Sequence, residues 1–276
     1  MWNGKGYDCD KVIYELKNGK RYVKEYKFKT VIFEGEYLFG KRNGKGKEYY
    51  YDGQLRFEGE YKNDLEWNGK GYNKEDNTIA YEIKNGTGFK KEYNGFGSLI
   101  FEGNFLDGKR HGKGTEYNGE DVISSGNYIN DKKNGYFTEK NHLYKFEGEY
   151  LNNHKMKGKE YIWNELVYEG EYLNGTKWHG KGYDEKGNIE YELINGNGKV
   201  KEYFDDGDDI QFEGEYKNGI KNGKGKIYYR GFDVEESSTY EGDFLYGEEN
   251  GKGKQYCFWN DEIYEGEFLN GERKKI

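Results

Sequence analysis

The sequence predicts an all-β protein built of tandem β-hairpins, on three observations. A segment of aromatic, acid and glycine recurs along the whole chain at spacings of 19 to 28 residues. Within each copy, apolar and charged residues alternate with period two, the signature of a half-exposed strand. Hydrophobic residues make up 33% of the chain and aromatics 18%, so the apolar surface is mostly Tyr and Phe, too little for a thick aliphatic core but too much for a solvated coil.

The units open at Tyr14, Phe33, Phe57, Tyr81, Phe101, Ser124, Phe146, Tyr168, Tyr191, Phe212 and Tyr240. Residues 1–13 match the second half of a unit and residues 264–276, from Tyr264, the first half. The reading is therefore a single repeat array over 1–276, with no stretch left for a second domain.

In "FEGEY", Phe33, Gly35 and Tyr37 project to one side and Glu34 and Glu36 to the other. A turn rich in Asn, Gly and Lys follows, then "GKGKEYYY", with Gly44 and Gly46 on one face and Lys45 and Lys47 on the other. Cross-strand Glu–Lys pairs on one face then fix register, while on the other a ring can lie over a neighbouring glycine's bare backbone.

The recurring pattern of aromatic-E-G-E-aromatic, N-G-K and H/N-G-K-G resembles the MORN (membrane occupation and recognition nexus) repeat. "FEGNFLDGKRHGKGTEY" at 101–117 and "YEGEYLNGTKWHGKGY" at 168–183 carry it most clearly. The resemblance implies an elongated, twisted, single-layer antiparallel sheet of stacked hairpins, a solenoid-like rod on the order of 110 Å long for about twelve units. It also implies association with membranes and phosphoinositides, peptide capture in an aromatic groove, or self-associating scaffolds at the cell cortex or cytoskeleton.

Three units depart together. In "YELKNG", "YEIKNG" and "YELING" the glycine slot holds Leu16, Ile83 and Leu193, each after a unit whose turn carries Trp2, Trp67 or Trp178. They form a repeat subtype in which the aliphatic residue either fills a gap left by a shortened turn or makes a binding ledge. Unit 124–145 is degenerate, with Ser124 and Ser125 replacing the aromatic–acid pair.

The net charge of −8 argues against a nucleic-acid partner, which needs a basic field. Cys9 and Cys257 suggest neither a disulfide framework nor a zinc site. With no leader-like start and no long apolar run, a cytoplasmic location is expected. "GKRHGKGT" at 108–115 lacks phosphate-loop spacing, and "DDGDD" at 205–209 lacks the ligand order of a calcium loop. Carboxylate pairs such as Glu213 and Glu215 recur in unit after unit, as structure does and a single active site does not. His111, His142, His154 and His179 lie in different units. Neither an enzyme, a cofactor nor a metal is expected.

Two surfaces are candidates for binding. Tyr37, Tyr61, Phe105, Tyr128, Tyr150, Tyr172, Tyr216 and Phe244 align as an aromatic strip, suited to a protein or peptide partner if it is uncovered. The alternative is that these rings pack on one another and on glycines. The turn cations Lys41, Arg42, Lys109, Arg110, Lys132, Lys133, Lys221 and Lys224 would line one edge and could meet an anionic membrane carrying phosphoinositide or phosphatidate, at about 1 kcal/mol each. The terminal half-units predict open strand edges at Trp2–Asp8 and Tyr264–Leu269, hence a homodimer or end-to-end oligomer.

Overall fold

A computed structural model describes residues 4–8, 11–16, 20–204, 209–230 and 237–274, with side chains from residue 22 onward. Trp2, Cys9, most of the acidic 205–209 segment and residues 231–236 lie outside the described residues. The chain forms two compact units, residues 1–134 and 135–276.

In the first unit, β1 (Gly4–Asp8) pairs with β2 (Lys11–Leu16). A six-stranded sheet follows in chain order: β3 (Lys20–Lys27), β4 (Thr30–Leu38), β5 (Lys41–Tyr49), β6 (Leu55–Lys62), β7 (Leu65–Tyr72) and β8 (Ile79–Ile83). Next β9 (Gly88–Tyr93), β10 (Leu99–Leu106), β11 (Lys109–Asn118) and β12 (Asp121–Ile129) pair successively.

The division falls within β13 (Lys132–Lys140). In the second unit β13 is followed in order by β14 (Tyr144–Leu151), β15 (His154–Ile162), β16 (Glu165–Leu173), β17 (Thr176–Tyr183) and β18 (Ile189–Leu193). A seven-stranded sheet contains β19 (Gly198–Tyr203), β20 (Ile210–Lys217), β21 (Ile220–Tyr229), β22 (Ser238–Leu245), β23 (Glu248–Cys257), β24 (Glu262–Leu269) and β25 (Glu272–Arg273). Among the described residues there is no helix, every strand pairing is antiparallel, and no sheet closes into a barrel.

The hairpins form where Asn, Asp and Gly accept a left-handed backbone. At Asp107–Gly108 both central residues have positive φ, 52° and 77°, the two-residue turn whose twist matches the strands it joins. The two glycines of "GKG" serve different ends. Gly44, with φ 104°, sits at the bulge opposite Glu36, where the register slips between Gly35 and Tyr37. Gly46 makes room for a ring: a Cβ there would lie 2.7 Å from Phe33 Cζ and 3.2 Å from Tyr61 Cδ2.

The hydrogen-bonded ladder is interrupted at the subtype units. β8 and β9 do not pair, and between them lies the isolated Lys84–Thr87 bridge, as Ile194–Asn197 lies between β18 and β19. Ile83 and Leu193 fill these corners, 4% and 1% exposed, so they are core and not a ledge. The turns nevertheless stay stacked. In regular units a turn N–H donates to the carbonyl of the preceding unit, Asp64 to Arg42 at 2.9 Å and Gly247 to Lys221 at 2.9 Å. At the corners the stack passes through the extra turn: Gly86 donates to Trp67 at 2.7 Å and Gly108 to Gly86 at 2.8 Å, with Gly196, Trp178 and Gly219 repeating this in the second unit. Each corner is thus open along the strands and pinned at the turn edge.

Ser124 takes the opening aromatic's place, buried, and accepts a hydrogen bond from Lys133 Nζ at 2.9 Å. The edge expected to be open at Tyr264–Leu269 is partly covered. The chain turns back so that Phe268 pairs with Arg273, and Lys274 N donates to the Glu267 carbonyl at 2.8 Å.

Candidate interaction surface

Where the turn supplies a cation, the opening aromatic is held from two sides. Phe33 lies over Gly35 and Gly46, is fully buried, and carries the Arg42 guanidinium 4.1 Å above its ring centre. The same cover recurs as Arg110 over Phe101 at 3.8 Å, Lys155 over Phe146 at 4.3 Å, and Lys221 over Phe212 at 4.5 Å. In most regular units the second aromatic meets its neighbours edge to face, as Tyr61 meets Phe33 and Phe57 at 5.1 and 5.4 Å.

The aromatic strip is therefore not an uncovered surface. Tyr61, Phe105, Tyr128, Tyr150, Tyr172 and Phe244 are buried, while Tyr37 and Tyr216 are half-buried and donate their hydroxyls to Glu25 and Glu202. The reason is that the residue two past each turn folds back over the rings, which composition and alternation alone do not reveal. Exposed rings lie elsewhere: Phe28 and Phe96 flank Tyr51 at the opposite edge of the first unit, at 5.8 and 5.1 Å.

The same geometry rearranges the cation row. Only Lys41, Lys109 and Lys132 point from the turns into solvent. Arg42 pairs with Glu25 and Glu48 at 2.9 Å each, and Arg110 with Glu92 and Glu116 at 2.7 and 2.9 Å. Lys133 pairs with Glu116 at 3.4 Å and Lys221 with Glu202 at 3.2 Å. Lys224 lies on the other face, 2.7 Å from Asp243. The eight cations do not form one edge, because residues adjacent in sequence alternate between faces.

Two units put an acid in the cation's place. Glu66, opposite Tyr61, is compensated by Lys90 at 3.2 Å and the Tyr81 hydroxyl at 2.8 Å. Lys90 stands where the two other subtype strands carry buried Val23 and Val200, a difference visible in "FKKEY" against "YVKEY" and "KVKEY". Glu249, opposite Phe244, is 4% exposed and accepts from the Tyr229 hydroxyl at 2.7 Å; among the described residues no cation pairs with it. Burial raises its carboxyl pKa, and the Tyr229 bond offsets only part of that. A raised acid favours the folded state at low pH and loses that advantage as pH climbs through the folded value. Glu249→Gln is expected to raise the melting temperature at pH 7 by roughly 2–4 °C and to remove this unit's contribution to the pH dependence, checked by calorimetry at pH 5 and 8.

The opposite face is charged and striped. In the second unit, Lys201 lies opposite Glu213, Glu213 opposite Lys226, Lys226 opposite Glu241, Glu241 opposite Lys254, and Lys254 opposite Glu265. Sign thus alternates strand by strand from β19 to β24. Between these side chains the floor is glycine, with Gly214, Gly225, Gly242, Gly253 and Gly266 lining a groove of about 990 Å³. The first unit repeats the stripe, with Lys24–Glu34, Lys47–Glu58 and Lys70–Glu82 at 3.0, 3.0 and 3.1 Å.

No curated protein matches the chain. The family model of the MORN repeat matches at five places, residues 33–55, 101–119, 212–233, 240–262 and 264–274. Strands in the intervening units share the facing glycines and opposed Glu–Lys pairs of the matched ones, as at Gly148–Gly158 and Glu147–Lys159. The chain belongs to the MORN-repeat family.

Proposed function

We propose that the protein is a non-catalytic interaction scaffold that binds a protein segment through the charged, glycine-floored face of its hairpin sheets. MORN repeats are protein or membrane interaction modules, and a repeated surface suits many similar weak contacts better than one deep pocket. The observation that carries the reading is the groove over β19–β24, where Glu and Lys side chains and strand backbone together form a surface open to a partner. Its lining balances Glu against Lys, which favours a protein over a polyanion such as nucleic acid or an anionic membrane.

The test compares the full chain with a variant whose groove is filled by Lys226→Trp and Lys254→Trp. Cross-linked protein partners recovered from the native cell should be lost from the variant. Sedimentation with phosphoinositide- or phosphatidate-containing vesicles should be weak for both proteins. Unchanged partners, or strong salt-sensitive vesicle binding, would instead favour the exposed turn lysines Lys41, Lys109 and Lys132 as the contact.

A further inference from the structure

We infer that the corner between β18 and β19 holds a seat for the guanidinium of an arginine side chain from a partner protein. The seat shares no lining residue with the β19–β24 groove and does not depend on it. Strand register makes this corner equivalent to the one between β8 and β9. Glu48 faces Phe57 and Tyr49 faces Leu55, as Glu160 faces Tyr168 and Tyr161 faces Leu166. Tyr50 and Arg56 therefore correspond to Ile162 and Val167. In the same way the Tyr72–Ile79 pair corresponds to Tyr183–Ile189, and Tyr93–Leu99 to Tyr203–Ile210.

At the β8–β9 corner the chain fills the space itself. Tyr50 is fully buried, donates its hydroxyl to the Tyr72 carbonyl at 2.9 Å and meets Tyr93 edge to face at 6.1 Å. The Arg56 guanidinium donates to the Tyr93 carbonyl at 3.1 Å and pairs with Glu48 at 2.7 Å. A second cation, Lys74, clips the neighbouring turns together, donating to the Phe96 carbonyl at 2.7 Å and pairing with Asp52 at 3.1 Å.

At the β18–β19 corner the smaller Ile162 and Val167 leave a cavity of about 400 Å³, walled by Trp163, Tyr183 and Tyr203. Neither aliphatic side chain can donate to the carbonyls of Tyr183 and Tyr203, the counterparts of those that Tyr50 and Arg56 engage. The charge inverts as well. Gln54, Arg56, Asn73 and Lys74 give way to Glu165, Val167, Asp184 and Glu185, so two cations are exchanged for three carboxylates. The Asp184 carboxylate serves its own turn, accepting from the backbone N–H groups of Lys186 and Asn188 at 2.9 and 2.8 Å. Glu165 and Glu185 line the cavity, are exposed, and form no ion pair among the described residues.

The vacated position selects the occupant. Its counterpart holds Arg56, and a guanidinium combines what the cavity asks for: positive charge for two carboxylates, a planar face for aromatic walls, and N–H groups that reach a backbone carbonyl. Ile162 and Val167 give its methylene stem an apolar bed. An ammonium brings the charge without the planar fork.

The test uses the full chain and N-acetyl-arginine methylamide, with the citrulline and lysine analogues as neutral and ammonium controls. An NMR titration following the Trp163 indole N–H, assigned with Trp163→Phe, should show saturable binding of the arginine probe and about tenfold weaker binding of either control. Glu165→Gln combined with Glu185→Gln should melt like the parent and bind about tenfold more weakly. Ile162→Tyr combined with Val167→Arg rebuilds the plug of the other corner and should abolish binding. Equal binding of citrulline or lysine, no saturable shift, or an unaffected glutamine variant would overturn the seat. Binding of free arginine but not of the capped probe would overturn a partner side chain as its source. The tryptophan-filled groove is scored on cellular partners alone, so failure of the arginine seat leaves that reading standing.

Discussion

Phe33→Ala is expected to cost about 3–5 kcal/mol, as large as a core truncation in a thick globular domain. The ring is fully buried although it stands on one face of a sheet, because Gly35 and Gly46 lie beneath it, Arg42 lies above and Tyr37 and Tyr61 meet its edges at 5.9 and 5.1 Å. Truncation removes the contact with the glycine backbone and strips the guanidinium of its platform, while Arg42 keeps Glu25 and Glu48. Urea unfolding reads the loss, and amide exchange should localise it to the hairpins around β4 and β5. Phe39→Ala, at a position 64% exposed in the adjoining turn, should change stability by no more than about 0.5 kcal/mol.

Glu160→Gln is expected to destabilise the second unit by about 3 kcal/mol at pH 7, the lower end for breaking a buried ion pair. Glu160 has a side chain 12% exposed and receives Lys155 at 3.2 Å, Lys177 at 3.1 Å and the Tyr144 hydroxyl at 2.9 Å. Burial pushes its carboxyl up, but the ammonium groups of Lys177 and Lys155 together with Tyr144 outweigh that and hold it at about 2, against an ordinary 4.5. The sign follows from the depressed value: the unfolded chain takes up the proton first, so the stabilisation is present above pH 4.5 and is lost as pH falls towards 2. That shift corresponds to about 3 kcal/mol. Urea midpoints measured from pH 7 to pH 2 should converge for parent and variant at the acid end. A constant difference across that range would assign the loss to packing instead.

Much of the fold was legible because its determinants are local. Period-two alternation in "FEGEY" places Phe33 and Gly35 together, and the register puts Gly35 opposite Gly46 and Glu34 opposite Lys47, as the strand pattern requires. The subtype at Ile83 and Leu193 was also readable as a packing difference. Its consequence, a ladder interrupted at the strands but continuous at the turns, depends on hydrogen-bond geometry that the side-chain pattern does not encode.

The candidate surface was read less well, for one reason. Exposure of a face depends on what folds over it, and Arg42 and Arg110 look like solvent-facing turn cations until the bulge at the first glycine of "GKG" turns them onto Phe33 and Phe101. That single rotation buries the aromatic strip and uses up half the apparent basic edge. It leaves the Lys/Glu face, which pattern alone presents as a register device, as the surface with a groove.

The most direct measurement is a double-mutant cycle between Gly46→Ala and Phe33→Leu. The added methyl would sit 2.7 Å from Phe33 Cζ, so Gly46→Ala alone should cost about 1–3 kcal/mol by overpacking. A smaller side chain at residue 33 should take up the new methyl, so the pair should cost at least ~1 kcal/mol less than the sum of the single changes. Additivity within about 0.5 kcal/mol would mean that ring and glycine do not compete for the same space, and that nesting of rings on bare backbone is not what holds these sheets together.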